Sequence, residues 1–224
     1  MKKNQLLLIS VAIAALGGCP ATAQSMKVEP LPIGLPKPLF EGTPVLSKVP
    51  NLEKPSNKPR PPFLAPAGTV NVALHKPVSS SDSDPVIGSL ELITDGNKAG
   101  TDGTYVELKS GVQNVVIDLE SKCVLYAIVV WHYHKEARAY GGVVVQVADD
   151  PDFISNVQTV FNNDVNNETG NGMGKDMRYV ETNEGKLIDA KGVEGRYVRL
   201  ISNGSDKTAA NHYIEVEVYG KPVR

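Results

Sequence analysis

Ten consecutive residues, WHYHKEARAY at 131–140, hold a tryptophan, two histidines, two tyrosines and an arginine. Three chemistries compete for such a set. On an extended chain His132 and His134 point to the same side, as a metal pair does, but zinc takes three protein ligands in a catalytic site and four in a structural one. Only His75 and His212 remain to complete a site, and no H-E-x-x-H spacing occurs. Hydrolysis needs a nucleophile beside a base, or two carboxylates at a set separation. No G-x-S-x-G is present, and Asp149-Asp150-Pro151 reads as a turn. Sugar recognition asks for an aromatic face against the ring's C–H surface and planar donors and acceptors for its hydroxyls. Tyr133 and Tyr140 offer faces, His132 and His134 orientable ring nitrogens, and Arg138 a rigid fork of donors. Asn211 and His212, just before the closing apolar segment, form a second cluster of the same type. Trp131 ends an apolar run and reads as core.

The elements that must position these residues are short and β-like. VQNVVIDL (112–119) puts Val115, Ile117 and Leu119 on one face. CVLYAIVVW (123–131) is apolar throughout and reads as a strand buried on both faces. VVVQVA (143–148), RYVRLI (196–201) and YIEVEVYG (213–220) alternate. Short alternating runs separated by Gly, Asn and Asp, with no helical period, predict an all-β antiparallel sandwich. WHYHKEARAY then becomes a strand end plus loop, where binding residues concentrate. The Asn/Gly-rich stretch 162–176 reads as a loop. Its Asp164, Asn166, Glu168 and Asp176 raise a second-cation possibility that the spacing does not turn into a calcium loop.

The rest of the 224-residue chain is leader and spacer. Lys2 and Lys3 followed by the apolar run Leu6–Leu16 predict an export signal over residues 1–25, too short to span a membrane. Two exits are written side by side. LGGC (16–19) resembles a lipobox that would leave Cys19 lipidated, and ATA (21–23) suits ordinary cleavage before Gln24. Either way Cys123 has no partner, because the chain has only two cysteines. Twelve of the sixteen prolines fall between Pro20 and Pro66, so residues 26–68 read as a disordered Pro-rich linker, a semi-rigid spacer holding the domain on the order of 100 Å from an anchored Cys19. One folded domain, 69–221, remains. A net charge of −2 gives no basic face for nucleic acid.

Six segments in order resemble the discoidin, or coagulation factor five/eight type C, domain of the galactose-binding-like superfamily: NVALHKPVSSS (71–81), LITDGN (92–97), VVIDLE (115–120), VVVQVADDPDF (143–153), GRYVRLISNG (195–204) and NHYIEVEVYG (211–220). The resemblance implies a jelly-roll sandwich with end loops that bind ligand. It also implies a structural Ca²⁺ held by the Asp95 carboxylate, carbonyls of Leu92, Asn97 and Ile214, Thr104, and Glu215 from the last strand. Oxygen ligands from tight turns are what calcium takes. The stretch from Asp95 to Thr104 is longer than the resemblance leads one to expect.

These readings converge on a non-catalytic carbohydrate-binding module with His132, Tyr133, His134, Arg138, Tyr140, Asn211 and His212 at its rim. It would be exported and either envelope-anchored through Cys19, in the periplasm or at the outer membrane, or secreted. Its expected partner is a glycan or glycoconjugate, with an envelope protein as a second candidate partner, and with membrane contact only through a lipid on Cys19. The alternative is a discoidin-type protein- or surface-attachment module.

Overall fold

The computed structural model describes residues 27–39, 49–54, 56 and 58–223. The leader and Cys19 lie outside the described residues. Among those described, the chain is all-β, and its one helical piece is a 3₁₀ turn at Leu90–Ile93. Along the chain run β1 (Val28–Pro30), β2 (Leu64–Pro66), β3 (Val70–Asn71), β4 (Val78–Ser80), β5 (Val106–Ser110), β6 (Gln113–Trp131) and β7 (Ala139–Tyr140). They are followed by β8 (Val144–Ala148), β9 (Gln158–Asn162), β10 (Tyr179–Val180), β11 (Lys186–Ser202), β12 (Ala210–Tyr213) and β13 (Glu215–Pro222). No described helix is long and apolar enough to cross a membrane.

The sequence predicts two strands where the structure has one. β6 runs without a break through Glu120, pairing with β11 on both sides of it, over 113–118 and again from Cys123 to Val130. Both strands bend at the same place: the register skips between Gly195 and Tyr197, and Glu120 takes φ 63°. Bulges of this kind sharpen twist and turn a strand from one sheet into another. The first half of β6 pairs with β4, and the second half with β13, whose other neighbour is β3. The second half of β11 also pairs with β8, which carries β9. Arg196 clamps the bend with two bonds to Asp118, of 2.7 and 2.8 Å.

Both halves contribute side chains to one core. Val115, Ile117 and Leu119 from the first half of β6 are buried in it, as their spacing predicts. Cys123, Leu125, Ile128 and Val130 continue the core in the second half, while Ala127, Val129 and Trp131 face outward. The facing parity changes where the register with β13 skips a residue opposite Tyr126.

What covers that outward face corrects the linker expectation. Part of residues 27–66 is packed on the domain. β1 and β2 pair with each other, and Leu31 and Ala65 are buried against Ala127, Val129, Trp131, Ile214 and Tyr219, with Ile33 and Phe63 beside them. The segment continues along the sheet. Asn183 donates to the Pro36 carbonyl (2.9 Å), the backbone of residues 51–53 pairs with Arg178, and Arg60 donates to the Gly185 and Glu184 carbonyls (2.8 and 2.9 Å). Proline suits this course, because an edge segment packed through its side chains does not need every backbone donor. Trp131 anchors the arrangement: its Nε1–H donates to the Asn183 carbonyl at 2.9 Å. A Cβ on Gly185, at φ 66°, would lie 2.7 Å from the indole, so glycine is required there.

Candidate binding face

The loops do converge. The stretch after β6, the segment before β13 and the start of β5 meet at one end of the sandwich. Their side chains, however, divide between the inside and the surface. All seven residues expected at an exposed rim are buried.

Four of them brace the fold. Asn211 has every hydrogen-bonding position engaged: Oδ1 accepts from Ser202 Oγ and the Gly204 N–H (2.8 Å each), and Nδ2 donates to the Lys109 and Gly111 carbonyls (2.9 and 2.8 Å). It pins two loops together and has nothing left for a ligand. His134 faces a carbonyl, that of Lys98 at 2.9 Å, so its Nε2 carries the proton and holds the 95–104 loop. His132 Nδ1 lies 2.8 Å from the His212 carbonyl and donates to it, with the ring stacked on Tyr140 at 4.4 Å. The Tyr140 hydroxyl accepts the Tyr133 N–H at 3.2 Å.

Tyr133, Arg138 and His212, only 8, 9 and 5 % exposed, form the floor of a polar-aromatic face. The Arg138 guanidinium lies 4.1 Å over the Tyr133 ring, a stacked cation–π contact. Its Nε and Nη2 donate to Glu136 Oε2 (3.3 and 3.2 Å), and its Nη1 lies 3.5 Å from His212 Nδ1. His212 Nε2 in turn lies 2.9 Å from Glu107 Oε2. Burial and the Arg138 charge lower the His212 pKa, against the pull of Glu107. The ring is therefore neutral at pH 7, donating from Nε2 and accepting at Nδ1. Tyr105 stands edge-on to Tyr133 at 5.2 Å, and Lys135 pairs with Asp102 at 3.2 Å. Sequence reasoning pointed to Glu136 as a partner of Arg138, which it is, and did not single out Tyr105, Glu107, Lys135 or Asp102. Lys135 and Glu136 lie inside the stretch that drew attention. Tyr105 and Glu107 belong to β5, whose pairing with β12 (His212 opposite Glu107) brings them in.

Behind this face sits a buried ionisable pair. Glu181 Oε2 accepts the His132 N–H at 3.0 Å. Burial pushes the Glu181 carboxyl up to about 8, against the His132 and Thr182 N–H groups and the charges of Lys186 and Arg60. Burial pushes His132 down to about 4. The two act oppositely on stability. His132 is neutral inside and protonated in the acidic unfolded chain, so its contribution grows as pH rises from about 4 to 6.5. Glu181 is protonated inside and ionised when unfolded, so its contribution is full below its ordinary pKa of 4.5 and lost as pH rises through about 8. Between pH 6.5 and 8 only the falling member of the pair remains. Glu181→Gln is expected to flatten this limb in urea titrations, whereas equal slopes in variant and wild type would show the carboxyl already ionised inside.

The residues expected around calcium sit at the strand end nearby. Asp95 Oδ1 accepts the Asn97 N–H at 2.7 Å, and Asn97 Oδ1 accepts that of Ala99 at 3.1 Å. Thr104 donates its hydroxyl to the Thr101 carbonyl at 2.8 Å, within its own turn. Leu92 lies within the 3₁₀ turn, packed against the core, and Ile214 packs in the outer cluster. Glu215 is the informative residue. Fully buried, its Oε2 accepts the Gly96 N–H at 3.0 Å, and its Oε1 has no partner. Burial, with Glu217 and Asp95 nearby, pushes its carboxyl up to about 9. An orphaned carboxylate oxygen beside a second carboxylate fits a hard cation. Among the described residues no three of His, Cys, Asp and Glu gather as a group that could hold a metal ion by side chains alone.

The 162–176 loop closes on itself. Asp164 accepts from Glu168 N, Thr169 N and Thr169 Oγ1 at 3.0, 2.7 and 2.7 Å, and Asp176 Oδ2 accepts from Asn162 N at 2.7 Å. Those carboxylates shape the loop. A groove of about 390 Å³ between this loop, β9 and β11 is lined by three lysines and three carboxylates, with no charge preference.

No family model matches the chain, and no curated protein matches it. Solved structures are similar to it. A Streptococcus pneumoniae fucose binding module, SpX-3, is 22 % identical over 67 % of this chain and 97 % of its own, with a TM-score of 0.47. Chitosan-binding module 1 of a chitosanase/glucanase from Paenibacillus sp. IK-5 is 21 % identical over 67 % and 98 %, with a TM-score of 0.47. CpGH89CBM32-4 of Clostridium perfringens, solved with GlcNAc-alpha-1,4-galactose, is 21 % identical over 69 % and 96 %, with a TM-score of 0.48.

Proposed function

We propose that this chain is a non-catalytic carbohydrate-binding module whose ligand lies on the Tyr105–Tyr133–Arg138–His212 face. The observation that carries this reading is the Arg138 guanidinium, fixed on the Tyr133 ring with Glu136 on one side and His212 on the other. A planar donor fork beside two aromatic rings and a carboxylate that is 61 % exposed can hold adjacent hydroxyls while a ring edge carries the sugar's C–H surface. The floor is preorganised, which reduces the ordering cost of a shallow site. Lys135 and Arg138 supply two positive charges against three carboxylates, Asp102, Glu107 and Glu136, with His212 neutral. The excess of one negative charge favours a neutral or amino sugar over a uronate. Glu215 and Asp95, with backbone carbonyls of Leu92, Asn97 and Ile214, would hold a structural calcium ion. An ion held there would supply positive charge beside the Glu215 oxygen that has no partner.

Arg138→Ala is expected to weaken glycan retention by roughly tenfold to a hundredfold, the value of a charge-assisted hydrogen bond. Glu136→Gln, at the surface, is expected to weaken it with the melting temperature unchanged. A glycan array on which both variants match the wild type removes this face from consideration. The attachment reading has in its favour Ile154 and Met173, 80 and 75 % exposed. A chain that retains no glycan yet captures one envelope protein belongs to that class. The sequence pattern of the leader supports export, with anchoring at Cys19 or release after cleavage before Gln24.

A further inference from the structure

We infer that the Pro-rich segment is a fastened strap and not a stalk, so that a chain held at Cys19 stands close to its anchoring surface with the Tyr133–Arg138 face turned away from it. This rests on the anchoring reading of Cys19. The first described residue is already docked: the Lys27 carbonyl accepts the Ala67 N–H at 2.8 Å, and Val28 opens the pairing with Pro66. Glu29 accepts the Gly68 N–H at 2.9 Å, and Lys221 donates to the Ala67 carbonyl at 2.7 Å. Seven residues, 20–26, separate Cys19 from Lys27. Fully extended, that length of chain reaches about 28 Å, against the on the order of 100 Å open to an undocked segment.

The docking point also sets the orientation. Along β13, Glu215 pairs with Trp131, and Pro222 with Cys123. The binding face lies at the Trp131 end, since Tyr133, Arg138 and His212 flank it. Lys27 lies at the Lys221 end, through Ala67. Six residue steps of strand separate Glu215 from Lys221, about 20 Å. The strap then runs out toward Asn183 through Pro36, and returns past Arg60 to β2. A pull on residue 27 therefore acts at the pole opposite the face, and no part of residues 27–39 or 63–66 serves as reach.

The test uses the full chain, made with its own leader in a bacterium that lipidates envelope proteins and reconstituted into vesicles carrying an acceptor dye. A donor dye is placed on Lys122→Cys, beside Cys123 at the tethered pole, or on Asp102→Cys, 91 % exposed at the face. Cys123 is buried and does not compete for label. Energy transfer to the vesicle is expected to be at least twofold greater from position 122 than from 102. Equal weak transfer from both, with an acyl group on Cys19 by mass spectrometry, overturns the inference alone. Greater transfer from 102 does the same. No acyl group on Cys19 overturns it together with the anchoring reading, and leaves the sugar-binding reading standing.

Discussion

Trp131→Ala is expected to lower the free energy of unfolding by about 3–5 kcal/mol, the range for removing a large buried aromatic side chain. The side chain is fully buried, beneath Gly185 on one side and against Ala127, Val129 and Leu31 on the other. Its loss leaves a cavity and frees the Asn183 carbonyl, while the same Asn183 side chain holds Pro36. The sheet face and the strap are thus weakened together. Urea titration measures the effect. Trp131→Phe, which keeps most of the packing and loses one hydrogen bond, is expected to cost much less, about 1–2 kcal/mol. A loss below about 1 kcal/mol for the alanine variant would mean that the outward face of β6 does not depend on its cover.

Calcium is expected to raise the stability of the wild type by about 2.7 kcal/mol at a hundredfold excess over its dissociation constant, or about 5–11 °C in melting temperature for a domain of this size. Chelator is expected to remove that increment. Glu215→Gln gives the discriminating comparison. In chelator at pH 8 the variant is expected to be at least as stable as the wild type, because glutamine fills the same space without a buried acid whose pKa is pushed up to about 9. With calcium the order is expected to reverse. A wild-type melting curve unmoved by chelator would remove calcium from the site.

The sheet architecture was legible because alternation survives tertiary context. Val115, Ile117 and Leu119 face the core in the order their spacing predicts, and the closing strand buries Val216 and Val218 with them. The strap was half legible. A strand apolar on both faces needs two covers, and CVLYAIVVW states that need in the sequence. Proline-rich composition concealed the second cover, because the segment docks with almost no strand periodicity of its own. The binding face was legible in location and not in orientation. Residue type placed His132, His134, Tyr140 and Asn211 near the others, but type does not say whether a polar atom meets a carbonyl of its own chain. Asn211 shows this most plainly, with all of its capacity used inside. Tyr105 and Glu107 required the β5–β12 pairing, a contact about a hundred residues long that no local pattern announces.

β13 lies between β3 and β6, and those neighbours are supplied by residues 70–71 and by the middle of the chain. Without residues 215–222 the sheet lacks the strand that joins β3 to β6. Closure of the sheet therefore depends on contacts between segments far apart in the chain, a slow route by nature.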